Sequence, residues 1–169
     1  RTANIFAENN SIFVSARQIQ IFPSSGGGAY GLLPEIAWNK GISVDQKFKL
    51  FGRNSNLALD FFRNDFKQQV ITDLENPRKV IFYNLDGKSF SNSFQAELNM
   101  EPVKRLEWRL AYRFYDVKMT YTSQLLSKPF TARHRAFSNL AYEVKGWKMD
   151  YTINITGTKR ITATSSNPT

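Results

Sequence analysis

Few residues in this chain carry the chemistry of an enzyme. His134 is the only His, and there is no Cys. That pair of facts leaves no His–Cys ligand set for a transition metal and no thiolate nucleophile. Acid–base work would fall to carboxylates. Asp60, Glu97, Glu107, Glu143 and Asp150 are available, but no spacing selects a pair, and each has an Arg or Lys at a nearby polar position. Ion pairs along a wall account for them better than a general acid and base do. Gly26-Gly27-Gly28 is not a phosphate loop, because no strand leads in, no helix follows, and the Lys-Ser/Thr of such a loop is missing. The expectation is no catalytic residue, no metal and no cofactor.

The composition points to binding surfaces instead. The chain carries a formal charge of +9 with 14 Phe, 7 Tyr and 3 Trp. Basic plus aromatic is the mixture of a nucleic-acid surface, but neither an RNP-like signature nor a localised basic stripe is present. The same mixture suits a positive, ring-studded pore wall.

The elements that would carry such a wall are legible as period-two patterns. Trp147, Met149, Tyr151, Ile153 and Ile155 alternate with Lys148, Asp150, Thr152, Asn154 and Thr156. Alternation of this kind makes a β-strand with one oily and one wet face, at a length that suits the roughly 9–11 residues of a tilted membrane-crossing strand. Similar strands are predicted from Ile36 to Leu50, upward from Leu57, from Val80 to Met100 with a bend near Asp86-Gly87, from Leu106 to Lys118, and from Arg133 to Val144. Phe62 and Phe137 interrupt the polar rows. Residues 1–31 show no sustained alternation and read as a loop, with Phe13, Val14, Ile19, Ile21 and Phe22 available for a short strand or packed turn.

Six strands in three hairpins result, with short connections at 51–56, 101–105 and 145–146 and long ones at 73–79, 119–131 and from 159 onward. Alternating short and long connections are the pattern of a transmembrane β-barrel, whose periplasmic turns are short and extracellular loops long. A soluble lipocalin-like barrel or sandwich shares the alternation, with its oily face turned to a core. Two features favour the membrane. The polar rows mix Ser, Asn, Gln and both charges, and rings sit near both ends of the apolar rows. Parity then places Asp60, Glu97, Arg109, Arg113, Arg133, Arg135, Glu143 and Asp150 toward a lumen. Trp38, Trp108, Tyr112 and Trp147 become interfacial aromatics. No run of about 18 apolar residues exists, so no transmembrane helix is expected.

Three stretches resemble TonB-dependent outer-membrane receptors. Arg1-Thr2-Ala3-Asn4-Ile5-Phe6-Ala7-Glu8-Asn9 is similar to the segment that leaves a barrel strand for a long extracellular loop, although Asn4 stands where Pro or Ser is frequent. Leu33-Pro34-Glu35-Ile36-Ala37-Trp38-Asn39-Lys40-Gly41 is similar to the segment that re-enters the barrel. Phe82-Tyr83-Asn84-Leu85-Asp86-Gly87-Lys88-Ser89, continued by Phe94-Gln95-Ala96-Glu97-Leu98, resembles a barrel strand of the same family. The richness in Asn and Lys resembles the Bacteroidota branch.

The resemblance implies an all-β, antiparallel transmembrane β-barrel segment, about six strands of a roughly 22-stranded barrel with a plugged lumen. Six strands cannot close such a barrel. With neither an initiator Met nor an export signal, the chain reads as an internal piece of the C-terminal half. Residues 1–31 would be an extracellular loop region, 32–158 barrel strands and loops, and 159–169 a further extracellular loop, the plug domain and remaining strands lying outside the chain. The implied function is nutrient binding at the surface and import to the periplasm. The alternative is a docking platform in a larger outer-membrane assembly. Implied partners are outer-membrane lipid, the rest of the barrel and its plug, TonB through the plug region, and a surface lipoprotein or other complex subunit, with no nucleic acid.

Overall fold

The computed structural model describes residues 4–162. In chain order they form a single-turn helix α1 (Ile5–Glu8), a short 3-10 turn, and β1 (Gln18–Ile21). After a second 3-10 turn come β2 (Ile36–Leu50), β3 (Arg53–Gln68), β4 (Val70–Asp73), β5 (Lys79–Asn84) and β6 (Ser89–Val103). The remaining strands are β7 (Leu106–Tyr121), β8 (Gln124–Ser127), β9 (His134–Val144) and β10 (Trp147–Thr156). No helix is long and apolar enough to cross a membrane.

The alternating segments form one antiparallel meander. Its order is β10-β9-β7-β6-β3-β2, with β8 added on β7. β2, β3, β6 and β7 run to 15 or 16 residues, beyond what a bilayer crossing requires, so their patterns change along their length. The hairpins close tightly. Phe51 and Gly52 have φ of 53° and 73°, and Lys145 and Gly146 have φ of 47° and 83°. Two consecutive positive φ angles give the primed turn whose twist matches that of the flanking strands. At the β6–β7 turn, Arg105 takes φ 71°, and the ladder slips between Met100 and Val103.

The opposite end carries a folded cap. β1 pairs in parallel with β5, and β5 pairs antiparallel with β4, in a separate three-stranded sheet. Ile5, Ile12, Leu32, Val80 and Phe82 form its buried core. A second cluster joins Ile71 to Val117, Met119 and Tyr121, with Tyr83 and Leu85 packed against it. Those three β7 residues share the parity of the polar row, so the cap folds onto the wet side of the sheet.

Three expectations change. The turn expected at 51–56 shrinks to Phe51-Gly52, because residues 53–56 pair with β2 and β3 starts at Arg53. The strand expected from Val80 to Met100 is two strands in two sheets: β5 belongs to the cap, and β6 begins at Ser89. Gly87 makes the break at φ 127°, where an added Cβ would lie 2.6 Å from Thr120 Oγ1. Residues 4–31 are built into the cap by a helix turn, a strand and a core. Ile19 and Ile21 fall within β1, while the expectation for residues 1–3 lies outside the described residues.

Candidate functional site

The register sorts side chains onto two faces. Along the apolar face, bonded partners run Val44–Leu59–Ala96–Tyr112–Ala136–Ile155 and Ile42–Phe61–Phe94–Phe114–His134. Among the described residues nothing covers these rows. Ile42 is 65% exposed, Tyr151 63% and Trp147 74%. A soluble sandwich would bury them under a second sheet, and there is none against this face. One step toward the cap the chemistry switches within a single row to Lys40–Arg63–Asn92–Asp116, with Lys159 bridged to the neighbouring Ala132.

The aromatic positions bracket these rows. Trp147 adjoins the Lys145-Gly146 turn, and Trp108 donates its indole N–H to Ser138 Oγ at 3.0 Å. The Tyr112 hydroxyl shares a 2.8 Å hydrogen bond with His134 Nδ1. Trp38 lies beyond the charged row, with Lys67 Nζ 5.7 Å from its ring centre. A ring with an apolar body and a polar or cationic neighbour suits a water–lipid boundary.

The polar face is a ladder of ion pairs and amides. Arg109 Nη2 lies 2.9 Å from Glu97 Oε1, and Asn99 donates to the same carboxylate at 3.0 Å. Asn139 Nδ2 donates to Asp150 Oδ1 and to Thr152 Oγ1, both at 2.8 Å. Glu143 faces Lys148, and Asp60 stands between Ser43 and Gln95. Arg113 and Arg135 face each other. Arg133 precedes β9, and its guanidinium binds Asp116 Oδ1 at 2.6 Å. Asp116 shares the parity of Phe114, so this pair does not join the ladder. The structure brings no two carboxylates together as an acid–base pair, and no metal-binding cluster exists among the described residues.

Both interruptions of the polar rows have a physical reason. Phe62 pairs with Gly41, and a Cβ added at Gly41 would fall 2.2 Å from the Phe62 ring. The ring covers backbone that a side chain would otherwise shield. Phe137 lies beneath the Arg109 guanidinium, 6.0 Å from ring centre to Cζ. A ring opposite a Gly was the available signal for Phe62.

Residues that the pattern did not single out hold the cap. Asp73 is buried and accepts from the Glu75 N–H at 2.8 Å and the Tyr83 hydroxyl at 3.2 Å. Burial, with the Asp73 charge beside it, pushes the Tyr83 phenol up to about 12. Burial also raises Tyr121. Arg160 grips Glu75 with two nitrogens, at 3.2 and 2.5 Å, and donates to the Ser127 carbonyl. It thereby ties the chain after β10 to the β4–β5 connection. The Glu75 hydrogen bond raises the Arg160 pKa. Long-range partners such as Glu75 and Arg160 leave no trace in local periodicity.

The sequence of this single-layer meander, with its uncovered apolar face, polar ladder and cap, matches a known family. The profile of the TonB-dependent receptor-like β-barrel family covers residues 3–169. The chain belongs to this family. TonB-dependent receptors reside in the outer membrane, so the chain is a β-barrel segment of an outer-membrane receptor and transporter family. No curated protein and no solved structure matches it.

Proposed function

We propose that the chain supplies wall and extracellular loops to a receptor that binds a nutrient at the cell surface and imports it into the periplasm with energy delivered through TonB. Family membership carries this reading. On it, the hairpin turns face the periplasm and the cap faces outward. Asp60, Glu97, Arg109, Arg113, Arg135, Glu143 and Asp150 line the lumen, and Arg133 fixes the base of the cap. The packing of Ile71, Tyr83 and Leu85 against the wet-face residues Val117, Met119 and Tyr121 supports a cap seated over the lumen. Ligand contact falls to residues 9–31, because specificity concentrates on loops over a rigid scaffold. TonB would act through a plug domain, and the Asn- and Lys-rich composition suits a Bacteroidota source.

The test is growth and uptake in a strain lacking the full-length gene, compared with one lacking TonB. The same nutrient should fail to accumulate in both. Accumulation that persists without TonB overturns the import reading.

A second reading is a docking platform for a surface lipoprotein or another subunit of an outer-membrane complex. Val14 and Phe22, 90% and 55% exposed on the cap, favour it. The full-length receptor would then co-purify with such a subunit, and Val14→Asp with Phe22→Asp would release it while leaving TonB-dependent uptake intact.

A further inference from the structure

Five arginines among the described residues hold a carboxylate. Arg53 holds Glu101, Arg63 holds Asp65, Arg109 holds Glu97, Arg133 holds Asp116 and Arg160 holds Glu75. Arg113 and Arg135 hold none, as Arg17, Arg78 and Arg105 do not, but unlike those three they stand together on paired strands. The register places them directly opposite each other on β7 and β9. The Tyr115 N–H donates to the Arg133 carbonyl and the Glu143 N–H to the Arg105 carbonyl. Counting by twos between those bonds makes Arg113–Arg135 a hydrogen-bonded pair, with Cα atoms about 5.5 Å apart. Like charges so placed repel.

No described carboxylate is within ion-pair reach of either guanidinium. Their row reads Ser43–Asp60–Gln95–Arg113–Arg135–Thr156. Asp60, the only carboxylate in it, is two strands from Arg113, roughly 10 Å at ordinary strand spacing. Arg113 is also oriented, with its Cζ 4.7 Å from the centre of the Tyr115 ring. The two arginines line a cleft of about 160 Å³ with Tyr115, Phe130, Thr131 and Ala132. It opens on the wet face, a little below the charged row and beneath the connection from β8 to β9.

We propose that Arg113 and Arg135 form an oxyanion subsite that takes a carboxylate or phosphate group of the imported molecule. Two planar forks on facing residues that line one cleft, neither holding a carboxylate, suit bidentate recognition of such a group. Its charge removes their mutual repulsion. The Tyr115 ring holds one fork in place. Position favours a mobile cargo group, because the cleft lies in the cap-side part of the wall, which a molecule arriving from outside meets first. The inference rests on the import reading for its direction, while anion binding itself can be measured without it.

The test uses the full-length receptor, plug included, in nanodiscs of neutral lipid. Inorganic phosphate and citrate are titrated calorimetrically at constant ionic strength, with chloride as the reference anion. Wild type should bind at least one of the two oxyanions. Arg113→Gln and Arg135→Gln should each weaken binding about tenfold or more, as loss of a charge-assisted hydrogen bond does. The double variant should not bind, and Arg78→Gln, an exposed cap position, should bind as wild type. Arg113→Lys keeps the charge without the fork and should fall between. Circular dichroism and heat-modifiable mobility establish that each variant is folded.

Absence of oxyanion binding to wild type overturns the subsite, as does a folded double variant that binds normally. A wild type that binds neither probe, with a double variant whose plug becomes protease-sensitive, assigns the arginines to a plug carboxylate instead and also overturns it. Uptake in TonB-deficient cells is scored separately. Its persistence sinks the import reading and leaves the binding result standing.

Discussion

The side-chain amide of Asn84 closes on the backbone of Leu33 with both of its ends. Its Oδ1 accepts from the Leu33 N–H at 2.9 Å, and its Nδ2 donates to the Leu33 carbonyl at 3.2 Å. The same Oδ1 accepts from Ser24 Oγ at 2.9 Å. One residue at the end of β5 thus fixes the turn that leads into β2. Asn84→Ala removes three hydrogen bonds, each contributing about 1 kcal/mol. The expected result is a local loss of about 2–4 kcal/mol, read as faster amide exchange over residues 24–33 in the full receptor. Exchange in β7 and β9 should not change. Unchanged exchange at 24–33 would refute the clamp.

Phe82 is fully buried at the centre of the cap core. Phe82→Ala should cost the cap about 3–5 kcal/mol, combining lost burial with a cavity. Limited proteolysis should then cut within residues 15–33, which wild type protects. The strand wall should keep its heat-modifiable mobility, because the cap core and the meander are separate sheets. Loss of the wall together with the cap would show that they fold as one unit.

The two-faced wall predicts labelling. Single Cys residues at 151 and 153 should react with a lipid-dissolved maleimide and resist a water-soluble one. Cys at 109 and 150 should do the opposite. Labelling of 109 from lipid would reverse the assignment of both faces.

The Tyr83 phenol, raised by burial and by Asp73 to about 12 from an ordinary value near 10, makes the cap sensitive to alkali. A raised pKa means that the folded state binds this proton more tightly than the unfolded state does. The stabilisation is complete below pH 10 and is lost between about pH 10 and 12. Amide exchange in β4 and β5 should accelerate across that window. Tyr83→Phe has no proton to lose at this position, so its β4 and β5 step should shrink to what the buried Tyr121 contributes. An identical step in Tyr83→Phe would remove Tyr83 from the effect.

Side-chain alternation alone determined most of the wall. β2 and β10 have the bounds that their patterns predict, and the parity of Arg109, Arg113, Arg135, Glu143 and Asp150 is the parity of the ladder. Period two is a local property of extended backbone, so it can be read without knowing the partner strand. Tertiary structure decided three other things. It left the apolar face bare, where a pattern by itself admits either a core or lipid. It divided the stretch from Val80 to Met100 between two sheets, because β5 has partners in β1 and β4 that lie far away in the chain. It also chose which charges meet: Arg109 finds Glu97, Arg160 finds Glu75, and Arg113 finds Arg135. Those pairings follow from strand order and register, which set distances between residues that no local spacing relates.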